Sequence, residues 1–318
     1  MRIWTVYRHG LTAGTPPGKN DHMRTPRGES GGWSKSSTRN NTRFLYSVDE
    51  RALTGHGFAL SLTLRECPPT SDDWHKIRRG FEWRMRRMGM VRMHWLTEWQ
   101  RRGVPHMHAA IWFDEGLAQR DPFAVLTIRQ HWLAVAGLYG AGEKGQNIAH
   151  ITDAMGWFKY LAKHAVRGLN HYQRSADNIP EGWTKTGRMW GKLGDWPIAP
   201  VRKFYLDDEG HFKARRVIRG YARAITRQEF QLGRSPVSRL MWARNLLKCG
   251  DRGQSSLRGL NDWAEADKIT APLLLWLVSE GHEVDVRQPA IDGASGEAGV
   301  GAAHGDALPE AAARSGAC

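Results

Sequence analysis

Between Phe58 and Leu64 the sequence FALSLTL alternates apolar with small or polar residues, which predicts a strand with Leu60, Leu62 and Leu64 on one face. Pro68-Pro69 ends it. A helix is expected from Ser71, with Asp72 and Asp73 in the first turn, where the helix dipole favours anions. Trp74, Ile77, Phe81, Met85 and Met88 form its apolar stripe, and Arg78, Arg79, Arg86 and Arg87 fill its other faces. Val91 to Gln100, a turn at Arg101-Arg102-Gly103, and Pro105 to Phe113 read as a β-hairpin. Asp121-Pro122 opens a further helix running to about Leu138 and closing at Gly140. A short strand at Ile148–Thr152 precedes a helix from Ala154 to about Arg167. This order predicts an α+β fold, with helices flanking a central antiparallel sheet.

The flanks read differently. Residues 1–41 form a basic, mostly irregular N-terminal arm, rich in Gly, Pro, Ser, Thr, Asn and Arg from residue 10, with a short helix leading from Ser36 into Phe44 and Leu45. Residues 42–207 form the main domain, ending in a Trp-, Gly- and Pro-containing stretch (180–200) and a strand at Val201–Tyr205. Residues 208–287 form a basic, mostly helical extension, with one helix at Ala271–Glu280. Residues 288–318 are rich in Ala, Gly and acids, almost lack large apolar side chains, and read as a disordered tail.

Charge narrows the choice of partner. Lys and Arg number 46 against 32 Asp and Glu, a net charge of +14. The tail holds four acids and one base, so the remainder carries +17. An excess of this size points to a polyanion, because bound phosphates release counterions. The three cysteines (Cys67, Cys249 and Cys318) form no CxxC motif, which argues against a disulfide framework or cysteine zinc site and fits a reducing compartment. No apolar leader follows Met1-Arg2, and the longest apolar run, Ala271–Val278, is far short of the ~20 residues that span a bilayer. A soluble, cytoplasmic chain with no membrane partner is expected.

Candidate chemistry begins at the hairpin. His106 and His108 are one residue apart on a strand, so both imidazoles project from the same face, spaced as a metal requires of two nitrogen ligands. Glu98 lies eight residues upstream of His106, and a tight turn near 102–103 sets it opposite them. A slip of one residue would send it to the other face. Mixed oxygen and nitrogen ligands suit Mg²⁺ or Mn²⁺ better than structural zinc. In the helix from Ala154, a projection at about 100° per residue groups Ala154, Phe158, Leu161, Ala162 and Ala165 on an apolar face. Gly156, Tyr160, Lys163, His164 and Arg167 share the other side, flanked by Lys159. A tyrosine in a cationic stripe reads as a phosphate-facing nucleophile, with Gly156 leaving room for a backbone to approach. Lys163 can hold the phosphate or favour the phenolate.

The segments FALSLTL, PHMHAAIW and WFKYLAKH resemble, in that order, the three motifs of the HUH endonuclease superfamily, and most nearly the rolling-circle replication initiators of bacterial plasmids and filamentous phages. The resemblance covers about residues 33–200 and includes RMWGKLGDW. It implies an HUH endonuclease-like sheet within residues 42–207. A divalent metal, Mg²⁺ or Mn²⁺, would sit on His106, His108 and Glu98, with Tyr160 and Lys163 catalytic. The implied activity nicks and rejoins single-stranded or origin DNA through a 5′-phosphotyrosyl intermediate, in a bacterial host cytoplasm. Arg101, Arg102, Lys159, His164 and Arg167 would contact the DNA, and one or two tryptophans would stack on bases. Some initiators carry a second tyrosine one turn later; His164 stands there, implying a single-tyrosine enzyme. The sequence holds no GxxxxGK[ST] motif, so a host helicase would unwind the duplex and a host polymerase would extend the nick.

Three alternatives remain open at this stage. A relaxase or single-strand transposase belongs to the same superfamily, although relaxases commonly use three histidines and small transposases are shorter. A histidine phosphoesterase would need neither Tyr160 nor a +17 body. In a non-enzymatic DNA-binding protein, the basic C-terminal region would carry the function.

Overall fold

A computed structural model of the chain describes residues 1–14, 31–166, 171–234 and 266–287, together with 237, 238, 240 and 241. Five strands form one antiparallel sheet in the order β6-β3-β5-β4-β7: β3 (His56–Thr63), β4 (Met90–Trp99), β5 (Pro105–Phe113), β6 (Asn147–His150) and β7 (Trp190–Gly194). Every residue of β5 is buried, as expected for a central strand covered on both faces. Leu60 and Leu62 join Trp74, Ile77 and Phe81 of α2 (Ser71–Arg87) and Ile128 and Trp132 of α4 (Ala124–Ala136) in one core. Trp132 meets Trp74 and Phe81 edge to face, with ring centroids 6.2 and 5.6 Å apart. Thr70 caps α2 by accepting the Asp73 N–H at 3.2 Å, and Gly89, at φ +95°, turns the chain into β4.

The opposite sheet face is covered by α1 (Lys35–Ser47) and α5 (Ala154–Val166). Phe44 of α1 stacks on His94 of β4, centroids 5.5 Å apart, and the buried His94 donates to Asn41 Oδ1 at 2.7 Å. Phe158 of α5 packs against Trp112 of β5 and Trp196.

A second antiparallel sheet has the order β2-β1-β8-β9, built from β1 (Arg2–Tyr7), β2 (Gly10–Gly14), β8 (Arg202–Leu206) and β9 (Val284–Arg287). Its core holds Trp4, Val6, Phe204 and Leu206, with Ile218 of α6 (Asp208–Gln231) and Leu273 and Leu277 of α7 (Ala266–Ser279). The mostly irregular arm expected over 1–41 is corrected here. Residues 2–7 and 10–14 pair as a hairpin on β8, and α1 starts at Lys35. The N-terminal hairpin, the strand ending the expected main domain (β8) and a strand of the C-terminal extension (β9) thus form one sheet, because their apolar faces are too small to bury alone. The turn between β1 and β2 ties this sheet to the first. The buried His9 places Nε2 2.7 Å from Glu50 Oε2, and Arg8 Nη2 donates to Glu50 Oε1 at 3.0 Å.

Smaller differences have local causes. The helix expected from Asp121 begins at Ala124, since Asp121 Oδ1 accepts the Phe123 N–H at 3.0 Å and turns the chain first. A short helix, α3 (Leu117–Arg120), precedes that turn. The strand expected at 148–152 spans Asn147–His150. The tail expected from 288 lies outside the described residues.

Candidate active site

The β4–β5 hairpin builds the site. Gly103, at φ +73°, supplies the left-handed turn residue, and the Gln100 N–H donates to the Val104 carbonyl at 2.9 Å. The resulting register sets Glu98 opposite His106 and Leu96 opposite His108, so the carboxylate and both imidazoles share the sheet face that carries α5. Across the other edge of β5, Thr63 pairs with His106 and Ser61 with His108.

Glu98, His106 and His108 are all buried, and one ligand atom from each lies within 4.8 Å of the others. The two Nε2 atoms stand 2.7 Å apart, and Glu98 Oε2 is 3.8 Å from His108 Nε2. Ser61 Oγ is 2.8 Å from His108 Nδ1. When Nδ1 carries the proton and Ser61 accepts it, the Nε2 lone pair faces the cluster. Desolvation by burial lowers the His106 pKa to about 4, so this ring is neutral at pH 7. Two imidazole nitrogens and a carboxylate oxygen converging in a buried cluster fit one divalent cation.

Helix α5 brings in the tyrosine. Phe158, Leu161 and Ala162 anchor it in the core, leaving Tyr160 38% exposed on the other side. The Tyr160 and His108 rings meet edge to face, centroids 5.5 Å apart and planes at 79°. Trp157, one turn earlier, stacks on Tyr160 at 4.9 Å and 18°. The phenol ring is thus held between an indole and a candidate metal ligand. The expected room beside Gly156 is taken by the Asp153 carboxylate, which a Cβ at that glycine would strike.

The expected DNA contacts divide. Arg101 is exposed, its guanidinium 5.4 Å from the Tyr172 ring centroid. Arg102 is also exposed, but its guanidinium is engaged by neighbouring groups. It donates to Gln100 Oε1 (2.7 Å), to the Arg65 carbonyl (2.7 Å) and to the Leu64 carbonyl, bracing the hairpin turn against the end of β3. The side chains of Lys159, Lys163 and His164 and the whole of Arg167 lie outside the described residues.

Two residues of the site escaped the sequence reading. Ser61 lies on the polar side of the alternating strand, a signal available in FALSLTL. Arg174, whose Nε donates to Glu98 Oε1 at 3.0 Å, comes from an irregular loop with no such signal.

Neither a family model nor a solved structure matches the chain. Curated relatives do. A Xylella fastidiosa (strain 9a5c) protein named as a replication protein is 46% identical over 278 residues, spanning 85% of this chain and 95% of that protein. A second, from X. fastidiosa strain Temecula1 and named likewise, is 46% identical over 270 residues, 83% of this chain and 99% of its own. A replication-associated protein of Pseudomonas phage Pf3 is 42% identical over 290 residues, 89% of this chain and 99% of its own. The chain belongs to this family of replication proteins. A role in replication accords with its +14 charge, and the phage and Xylella relatives match it over nearly their whole lengths. Among the described residues, no helix of this replication protein is long and apolar enough to cross a membrane.

Proposed function

We propose that this replication protein is an HUH-type endonuclease that nicks and rejoins single-stranded DNA at an origin, with Tyr160 as nucleophile, and so starts rolling-circle replication. The observation that carries the reading is the 5.5 Å edge-to-face contact between Tyr160 on α5 and His108 on β5. It sets a half-exposed phenol beside a buried two-imidazole, one-carboxylate cluster. Glu98, His106 and His108 would hold the cation, Mg²⁺ or Mn²⁺, which when bound supplies Lewis-acid polarisation of a phosphate oxygen.

The chain's own residues do the rest. The Tyr160 oxygen attacks phosphorus, forming a phosphotyrosyl bond to the 5′ side as the bond to the 3′ oxygen breaks. The phenol gives up its proton and the departing 3′ oxygen gains one, leaving a free 3′-OH for a polymerase. Because the phosphodiester energy is kept in the phosphotyrosine, the reverse attack reseals the strand. Trp157 and His108 restrict the phenol ring, reducing the orientational cost of that attack. Lys163, one turn after Tyr160, is proposed to hold the scissile phosphate. Arg101, Arg102, Lys159, His164 and Arg167 are proposed to contact the strand, which a host helicase would expose.

The test is incubation of the full chain with origin-bearing single-stranded DNA and Mg²⁺ or Mn²⁺, followed by mass spectrometry of the trapped adduct. The expected product is one nucleotide-bearing peptide containing Tyr160, absent from Tyr160→Phe. An adduct that persists in Tyr160→Phe would reject the assignment, and retained DNA binding without any adduct would favour a non-enzymatic binding protein.

A further inference from the structure

The loop following His171 returns beside the hairpin and carries a charged group that the chemistry above does not use. The Trp99 N–H donates to the Gln173 carbonyl at 2.9 Å, and the Arg174 and Ser175 N–H groups both donate to the His171 carbonyl, at 2.8 and 2.9 Å. This tight turn drives Arg174 inward until its side chain is 1% exposed. Its guanidinium lies 3.9 Å from the Trp33 ring centroid, and the Trp33 indole N–H is tied to the carbonyl of Thr97, the residue before Glu98. Arg174 Nε donates to Glu98 Oε1 at 3.0 Å, while Nη1 and Nη2 are buried with no partner among the described residues.

A permanently charged group with two buried donors unmet is a poor way to stabilise a core; an apolar side chain would pack there at less cost. The geometry accounts for it in another way. Arg174 engages one carboxylate oxygen, Oε1, and the other, Oε2, is the one 3.8 Å from His108 Nε2.

We propose that Arg174 is a positioning residue for the metal centre, clamping Glu98 through Oε1 so that Oε2 alone is presented to the histidine pair as a one-oxygen ligand. The proposal rests on the reading that Glu98, His106 and His108 hold a divalent cation. The Trp33 face fixes the guanidinium plane, and the turn at His171 fixes its backbone, so the carboxylate is aimed before any cation arrives. Pairing also leaves Glu98 and Arg174 with no net charge, so a bound cation keeps its full attraction for phosphate.

The test is a double-mutant cycle on metal binding, without DNA. Mn²⁺ is titrated into the full chain, and the free ion is followed by its electron paramagnetic resonance signal. The proteins are the wild type, Arg174→Gln, Arg174→Lys, Glu98→Gln and the double variant Arg174→Gln/Glu98→Gln, each checked by circular dichroism. Arg174→Gln is expected to weaken Mn²⁺ binding by about ten-fold or more. Arg174→Lys, which keeps one donor and the charge, should recover part of that loss. In the Glu98→Gln background, Arg174→Gln should add nothing, because its effect travels through the carboxylate. Wild-type affinity in Arg174→Gln, or an equal loss with and without Glu98, would overturn the proposal. Should Arg174→Gln not fold, Arg174→Met, which keeps the volume without charge or donors, takes its place in the same cycle. A wild-type chain that binds no Mn²⁺ would reject the metal reading itself, which is a different failure.

Discussion

Glu98 and His106 are directly opposed across the β4–β5 hairpin, and the same carboxylate meets Arg174 on its other side. Glu98 is therefore part of a buried ion pair as well as a candidate ligand. Replacing one member of such a pair leaves an uncompensated buried charge. Glu98→Gln is expected to lower unfolding stability by about 3 kcal/mol even with metal chelated, measured by urea denaturation in EDTA. A wild-type midpoint in that variant would mean that Arg174 escapes to solvent when its partner is removed.

His106 and His108 carry the cation in the proposed reading, whereas strand binding depends on exposed basic side chains. His106→Ala, His108→Ala or added EDTA should abolish cleavage of origin single-stranded DNA and change its binding affinity by less than about three-fold, since the phosphate contacts survive. Cleavage assays and fluorescence anisotropy on the same oligonucleotide separate the two. Undiminished cleavage in EDTA would remove the metal from the mechanism.

Ser61 Oγ lies 2.8 Å from His108 Nδ1, where accepting the Nδ1 proton would leave Nε2 free to ligate. Ser61→Ala should lower Mn²⁺ affinity by about ten-fold with little change in melting temperature, and Ser61→Thr should restore it. Equal affinities in all three proteins would show that another group orients the ring.

The pH dependence of stability follows from buried histidines. Burial lowers the His94 pKa to about 3 and that of His106 to about 4. In the unfolded chain both titrate near 6.5, so below that pH the unfolded state binds protons that the folded state refuses. Stability should be full above pH 6.5 and fall as the pH drops from 6.5 toward 4, by about 1.4 kcal/mol per pH unit for each such histidine. Melting curves in EDTA at pH 7, 6 and 5 measure the slope. In His94→Gln, which keeps a donor for Asn41, the slope should be reduced by roughly one proton's contribution. An unchanged slope would exonerate His94.

Much of the site could be read along the chain, because its parts depend on local periodicity. The HxH spacing places two imidazoles on one strand face whatever the strand packs against. The helical projection of residues 154–167 likewise separates Phe158, Leu161 and Ala162, which are buried, from Tyr160, which is half exposed. The position of Glu98 follows from the hairpin once its turn is placed at Arg101-Arg102-Gly103, since a two-residue alternation carries register across a short turn.

What tertiary structure alone decided are the contacts between segments far apart in sequence. Arg174 meets Glu98 across 76 residues and Trp33 across a still longer span, through a loop whose composition carries no period. Arg102, at the tip of a basic turn, also reaches the Leu64 and Arg65 carbonyls just past β3, contacts that the local sequence does not announce. The strands at residues 2–7 and 10–14 exist because β8 and β9, some 200 residues and more away, complete their sheet. Local patterning determines which face of an element is apolar and which bears chemistry. Only packing decides which distant element meets that face, because the energy of the contact resides in neither segment alone.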